Sequence, residues 1–235
     1  MASSESRMAL PGGLARGAIK PTVAIRPPRG IATLHLRAVW EYRELLYFLV
    51  WRDLKVRYKQ TMLGVLWILL QPLVSTTVFS VLFGLLLQVP TGDVPYPVFA
   101  LAGLLPWNYF SSSLTRSSTS VVGSAHLITK VYFPRLIIPI SGVLSGLVDL
   151  LVSFVVLIGM MLAFGVLPTV RAAVLPALIL LAAFTALGFG LWLSALNVRY
   201  RDVNYLLPFL VQVWMYLTPV VYGSSLIPEK YRFLL

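Results

Sequence analysis

Asp149 is the sole ionisable residue of the Asp, Glu, Lys and Arg types in the 35-residue stretch Leu136–Val170. A carboxylate at membrane depth is costly and faces protein or water. It therefore reads as a structural acid or as one member of a proton relay. A relay would need further ionisable groups, and Arg116 is the natural counter-charge. Trp107 and Tyr109, just after Leu105-Pro106, are the next residues with chemical potential. Aromatic rings gather at membrane–water boundaries. They also stack on the apolar faces of pyranose rings, so a belt and a sugar platform both fit.

Other chemistries lack their residues. There are two histidines, His35 and His126, and no cysteine. No HExxH motif, clustered His/Asp/Glu or metal-ligand spacing occurs. There is no Ser-His-acid arrangement. The sequence contains no Gly-Lys pair and hence no GxxxxGK[ST] phosphate loop. Any nucleotide hydrolysis coupled to this chain must belong to another polypeptide. A membrane-embedded glycosyltransferase or phosphatase would need polar groups at a common depth, and Asp149 alone is offered.

The elements that must carry these residues are apolar. Runs without Asp, Glu, Lys or Arg cover Gln60–Gly92, Val94–Thr115, Ala172–Val198 and Val203–Pro228. About 20 such residues cross a hydrocarbon core roughly 30 Å thick, and a helix satisfies its own backbone there. The composition agrees: 58% apolar and 11% charged, with a net charge of +11, against about 25% charged residues in soluble domains. The fold class is therefore all-α and polytopic. Membrane helices are expected at about 62–87, 97–122, 136–166, 172–196 and 203–222.

Charge sets the orientation. Residues 1–62 hold eleven Lys/Arg. With a cytoplasmic N-terminus, Arg116, Lys130, Arg135, Arg199 and Arg201 join them, leaving Arg171, Lys230 and Arg232 outside, sixteen against three. This follows the positive-inside rule and makes nucleic acid an unneeded partner. Residues 1–36, rich in Gly, Pro, Ser and Arg, read as a disordered basic tail without the apolar core of a signal peptide.

Residues 37–61 read as a helix too charged to span. Tyr47, Val50, Trp51, Leu54 and Tyr58 fall on one stripe, flanked by Arg52, Lys55 and Lys59, with Leu49 and Val56 off it. That pattern fits a helix lying in the membrane interface, or a soluble helix packed on a partner. Gln71-Pro72 sits inside the first span, where proline frees a carbonyl and kinks the helix, whether to line a cavity or merely to pack.

Several stretches together resemble one family. Trp51-Arg52-Asp53-Leu54-Lys55-Val56-Arg57-Tyr58-Lys59-Gln60, with Leu63-Gly64-Val65-Leu66-Trp67 and Gln71-Pro72, resembles the entry segment of ABC-2 type permeases for polysaccharide export. Lys130-Val131-Tyr132-Phe133-Pro134-Arg135 resembles their first inner loop, and Asn197-Val198-Arg199-Tyr200-Arg201-Asp202-Val203 the second. Thr218-Pro219-Val220 and Ile227-Pro228 resemble the start of the outer gate region, 223–235 here. The order and spacing carry the resemblance from about residue 40 onward.

The resemblance implies six membrane helices, so five here leave the sixth missing and the chain truncated. It implies a homodimer in the bacterial cytoplasmic membrane, paired with an ABC ATPase that holds ATP and Mg, and no cofactor on this chain. The cargo would be a lipid-linked glycan of O-antigen, capsule or teichoic acid type. His126 and Lys130–Arg135 would couple to the ATPase, and the 197–204 loop would make a second contact. Trp51, Arg52, Lys55, Arg57, Tyr58 and Lys59 would lie on the inner leaflet, where a lipid pyrophosphate enters. Trp107, Tyr109, Phe110, Trp214 and Tyr216 would line a glycan conduit. A drug or lipid exporter of the same family, or a non-catalytic scaffold, are the alternatives.

Overall fold

The helices follow the apolar runs. In a computed structural model of the chain, residues 36–59, 64, 66–92, 94–220 and 222 are described. Among them the elements are all helical: α1 (Leu36–Glu41), α2 (Arg43–Lys59), α3 (Leu66–Phe79), α4 (Tyr96–Gly123), α5 (Ala125–Lys130), α6 (Ile137–Ala163), α7 (Leu175–Arg199) and α8 (Val203–Leu217). A π-helical turn, Ser80–Leu86, extends α3, and a 3₁₀ turn, Val170–Val174, leads into α7. Of the tail expected over residues 1–36, all but Leu36, which opens α1, lies outside the described residues, as do the 60–63 end of the entry segment and the gate region 223–235.

Among the described residues, three stretches are long and apolar enough to cross a membrane: Leu66–Leu86, Ile137–Ala163 and Ala172–Arg199. Helix α8 is apolar but shorter than the expected 203–222, because it stops at Leu217 before Thr218-Pro219. Proline disfavours helical conformation in the residue before it, and Thr218 is accordingly extended at ψ 140°.

Helix α4 is of spanning length at 28 residues but is rich in Ser and Thr. Much of that polarity is satisfied within the helix, while the buried Ser113 and Ser117 hydroxyls have no hydrogen-bond partner. The hydroxyls of Ser112, Thr115, Ser118, Thr119 and Ser120 donate to carbonyls three or four residues back, at 2.7–3.2 Å. It is also the hub of the bundle. One face, with Leu101, Leu105 and Tyr109, packs on Val143, Leu150 and Leu157 of α6. Another places Leu114 against Ala186 of α7 and Leu207 and Val211 of α8.

Small residues let these helices approach. Gly142 and Gly146 of α6 face α4: a Cβ at Gly146 would stand 2.6 Å from Ser113 Oγ, and one at Gly142 would stand 3.3 Å from Arg116 Cβ. Gly190 of α7 meets Ser117 in the same way. The outward faces of α6 and α7 keep Val155, Ile158, Leu162, Leu178, Leu181 and Phe184 exposed, the arrangement a lipid solvent calls for.

Helix α2 packs differently from its sequence pattern. Leu49, off the expected stripe, is its one buried residue and joins Leu45 and Leu46 against Phe133, Ile137 and Ile138. Tyr47 and Trp51, on the stripe, are exposed. The inward face is chosen by contact with α6 rather than by the aromatic periodicity.

Candidate functional site

Asp149 sits at the convergence of three helices. Gly142, Ser145, Gly146 and Asp149 recur on the α6 face turned to α4, which brings the carboxylate beside Arg116. Arg116 Nη2 donates to Asp149 Oδ2 at 2.9 Å. Arg57 of α2 donates to the same oxygen from Nη1. The Tyr58 hydroxyl donates to Oδ1 at 2.9 Å. Ser145 Oγ accepts long contacts of 3.5 Å from both guanidinium groups while donating to Gly142 O at 3.0 Å. Two cations and one acid leave this cluster with a formal charge of +1. Its charged side chains are only 18–29% exposed. Burial pushes the Tyr58 phenol above its usual value of 10.0, so it remains a donor at neutral pH.

The sequence offers Arg116 as a partner of Asp149; it places Arg57 and Tyr58 in the interfacial helix and does not reveal their link to Asp149. The available signal was electrostatic. A lone acid at membrane depth needs cations, and Arg57 stands at the end of the one charged helix preceding the first span.

Two cavities meet at this cluster. The first, about 410 Å³, is lined by Arg57, Tyr58, Arg116 and Asp149 together with Trp67, Gln71, Pro72, Asn108 and Tyr109. Pro72 thus does line a cavity. The second, about 850 Å³, lies among α2, α4, α5 and α6 and includes Arg52, Asp53, His126 and Lys130. Arg57 and Arg116 are the residues common to both walls. Arg52 is paired with its neighbour Asp53 at 2.8 Å, while Lys55 and Lys59 are exposed.

The five aromatic residues proposed as a conduit separate into groups. Trp107, Phe110 and Trp214 form one cluster, with ring centroids 5.5–6.1 Å apart. Tyr109 points to the other side of α4, buried at the first cavity, because residues two apart on a helix face away from each other. Tyr216 is exposed outside the Trp cluster, and its carbonyl accepts from the Tyr222 hydroxyl at 3.1 Å.

The first inner loop has an anchor and an exposed edge. Phe133 is buried among Leu49, Ile137 and Ile138. His126, Lys130, Tyr132 and Arg135 are exposed, Tyr132 at 80%, and Pro134 is half-buried. The α7–α8 turn has the same division. Arg199, Tyr200, Arg201 and Asp202 are exposed, while Asn197 is fully buried. Asn197 Nδ2 donates to Ser118 O at 3.1 Å and to Asn204 Oδ1 at 2.8 Å, tying the turn to α4.

The sequence profile of ABC-2 type transporters matches residues 44–235. The chain belongs to the ABC-2 type transporter family. This ABC-2 chain is 33% identical over 196 residues to the O-antigen export system permease protein RfbA of Myxococcus xanthus, covering 83% of the chain and 74% of that relative. It is 32% identical over 193 residues to the protein of the same name from Klebsiella pneumoniae, covering 82% and 74%. The polysialic acid transport protein KpsM of Escherichia coli is 24% identical over 188 residues, covering 77% and 70%. Family and relatives make this ABC-2 chain a multi-pass membrane transporter permease and not a catalytic enzyme.

Proposed function

We propose that this chain is the permease subunit of an ATP-driven exporter that moves lipid-linked polysaccharide across the bacterial cytoplasmic membrane. The observation that carries the reading is the 33% identity to a relative named as an O-antigen export permease. The cluster geometry adds support. A cavity with hydroxyl, amide and aromatic walls beside two arginines suits a cargo that is part sugar and part anion.

ATP and Mg reside on a separate ABC ATPase, and two copies of the permease form the path. The ATPase docks on the exposed edge of the first inner loop, with Tyr132 and Lys130 at its centre and Phe133 as the lever into α2 and α6. The Arg199–Asp202 turn makes the second contact. The N-terminus, with the basic tail over 1–36, is cytoplasmic; residues 37–61 lie along the inner leaflet and 62–235 form the membrane domain. Trp107, Phe110 and Trp214 supply the sugar-stacking surface.

The test replaces Lys130, Tyr132 and Arg135 with alanine in the native host. Surface glycan is lost while membrane insertion and the amount of permease stay at wild-type levels, and the ATPase no longer co-purifies. Unchanged surface glycan with an unchanged ATPase complex would defeat the reading.

A further inference from the structure

Each Asp149 oxygen is engaged. Oδ2 accepts from Arg57 and Arg116, and Oδ1 accepts from Tyr58. These donors come from two helices other than the acid's own, α2 and α4. Arg116 is fixed close to α6 by the glycine contacts at 142 and 146. Arg57 is not fixed that way. The apolar anchor of α2 lies in its first half, at Leu45, Leu46 and Leu49. In the second half Lys55, Val56 and Lys59 are exposed, and bonds from Arg57 and Tyr58 to Asp149 and from Arg57 to Ser145 tie that half to α6. The same bonds form the wall between the two cavities, since Arg57 and Arg116 line both. The second cavity is itself basic, with Arg52, His126 and Lys130 against the single acid Asp53, which Arg52 already pairs.

We infer that Arg57, Arg116 and Tyr58 form an exchangeable anion site in which Asp149 is the resident counter-ion. A phosphate or pyrophosphate group arriving through the basic cavity takes the place of Asp149, frees the second half of α2 and opens the wall into the first cavity. One carboxylate leaves the two guanidinium groups with a residual +1, whereas a phosphate dianion matches both charges and accepts the same paired N–H donors; the displaced Asp149 carboxylate stays on the wall of the first cavity, beside Gln71, Asn108 and Ser112. Arginine retains its charge throughout, so the competing anion decides the occupancy. The ligand class deepens the exporter reading and rests on it for the phosphate's place on a transported lipid; the exchange site itself does not.

The chain has no cysteine, so a single Ser112→Cys reports the first cavity, whose wall includes Ser112. The full chain is reconstituted in sealed zwitterionic vesicles without ATPase or glycan. Modification rates are read with membrane-impermeant anionic, cationic and neutral thiol reagents applied from the α5 side. Three additions are compared: inorganic pyrophosphate, a polyprenyl pyrophosphate in the bilayer, and phosphatidylglycerol in the bilayer.

A phosphate-bearing ligand accelerates the neutral reagent several-fold by opening the wall. The addition that does so identifies the source as free anion, lipid-linked pyrophosphate or phospholipid headgroup. Asp149→Asn makes the site constitutively vacant, speeding the anionic reagent and slowing the cationic one by roughly tenfold each, the factor for removing a unit charge about 10 Å away at an effective dielectric near 20. Arg57→Gln, which leaves a neutral Asp149–Arg116 pair, abolishes the ligand response. If none of the three additions changes the Ser112→Cys rate in the Asp149 chain, the proposal is overturned, whether or not the substituted chains fold. That result leaves the exporter reading standing, because the ATPase and surface-glycan experiment does not depend on it.

Discussion

Replacing Gly190 with alanine tests whether the α4–α7 contact is as close as the structure places it. A Cβ built on Gly190 stands 2.5 Å from Ser117 Cβ, far inside the ordinary 3.5–4.0 Å carbon–carbon separation. Rotating the serine moves its hydroxyl but not its Cβ, so the helices must separate. Gly188, two residues earlier on the same helix, has nothing within 4 Å of a built Cβ. Both changes gain the same helix-propensity benefit, about 1 kcal/mol. The difference between them isolates the clash, about 1–3 kcal/mol for overpacking. At about 2–4 °C per kcal/mol for a chain of this size, Gly190→Ala melts several degrees below Gly188→Ala when both are followed by thermal unfolding in nanodiscs. Ser117→Gly removes the opposing atoms, so the double variant with Gly190→Ala recovers the loss, with a coupling in the 0.5–3 kcal/mol range typical of touching residues. Coincident melting of Gly188→Ala and Gly190→Ala, or no recovery by Ser117→Gly, would refute the close approach and with it the placement of α4 as the hub.

Tyr132→Ala leaves stability within about 0.5 kcal/mol, as an exposed substitution should, yet abolishes co-purification of the ATPase. Phe133→Ala costs about 3 kcal/mol through the cavity it leaves beside Leu49 and Ile137 and appears as a lowered Tm before any effect on docking. Asn197→Ala strands the Ser118 carbonyl and the Asn204 amide oxygen and costs about 1–3 kcal/mol, read by thermal unfolding. The Tyr58 phenol, whose value burial raises above 10.0, gives a contribution fully present below pH 10 and lost as pH rises through its raised value. Ultraviolet titration therefore shows a late-forming tyrosinate fraction, and Tyr58→Phe reduces it by one group.

The apolar runs made the membrane helices legible because hydrocarbon imposes a length and a composition that few other environments require. Asp149 was legible as a singular residue for the same reason, and Arg116 as its partner because it is the one cation inside the neighbouring apolar span. What the sequence concealed was lateral. Leu49 and Trp51 are comparable as apolar residues, and only contact with Phe133 and Ile137 decides that Leu49 turns inward. Tyr109 and Phe110 are neighbours in sequence, yet the helical turn sends one to the Asp149 cavity and the other to the Trp107–Trp214 cluster. Periodicity cannot distinguish lipid from protein when both reward the same side chains.

The serines of α4 resolve a conflict that composition alone presents. A helix in the middle of a membrane bundle is expected to be the most apolar, yet α4 carries Ser111, Ser112, Ser113, Ser117 and Ser118. Its position requires that choice. Without a hydrophobic drive between helices in lipid, affinity comes from close packing, and α4 must pack on α6 and α7 at once. Serine is small enough to meet Gly146 and Gly190; the hydroxyls of Ser112 and Ser118 return to their own backbone, while those of Ser113 and Ser117, at the glycine contacts, are buried without a hydrogen-bond partner and carry the cost of the close approach. Larger apolar residues would hold α6 away and withdraw Asp149 from Arg116. The small polar stripe is therefore what allows a charged cluster to form at membrane depth, and the two-cavity arrangement depends on it.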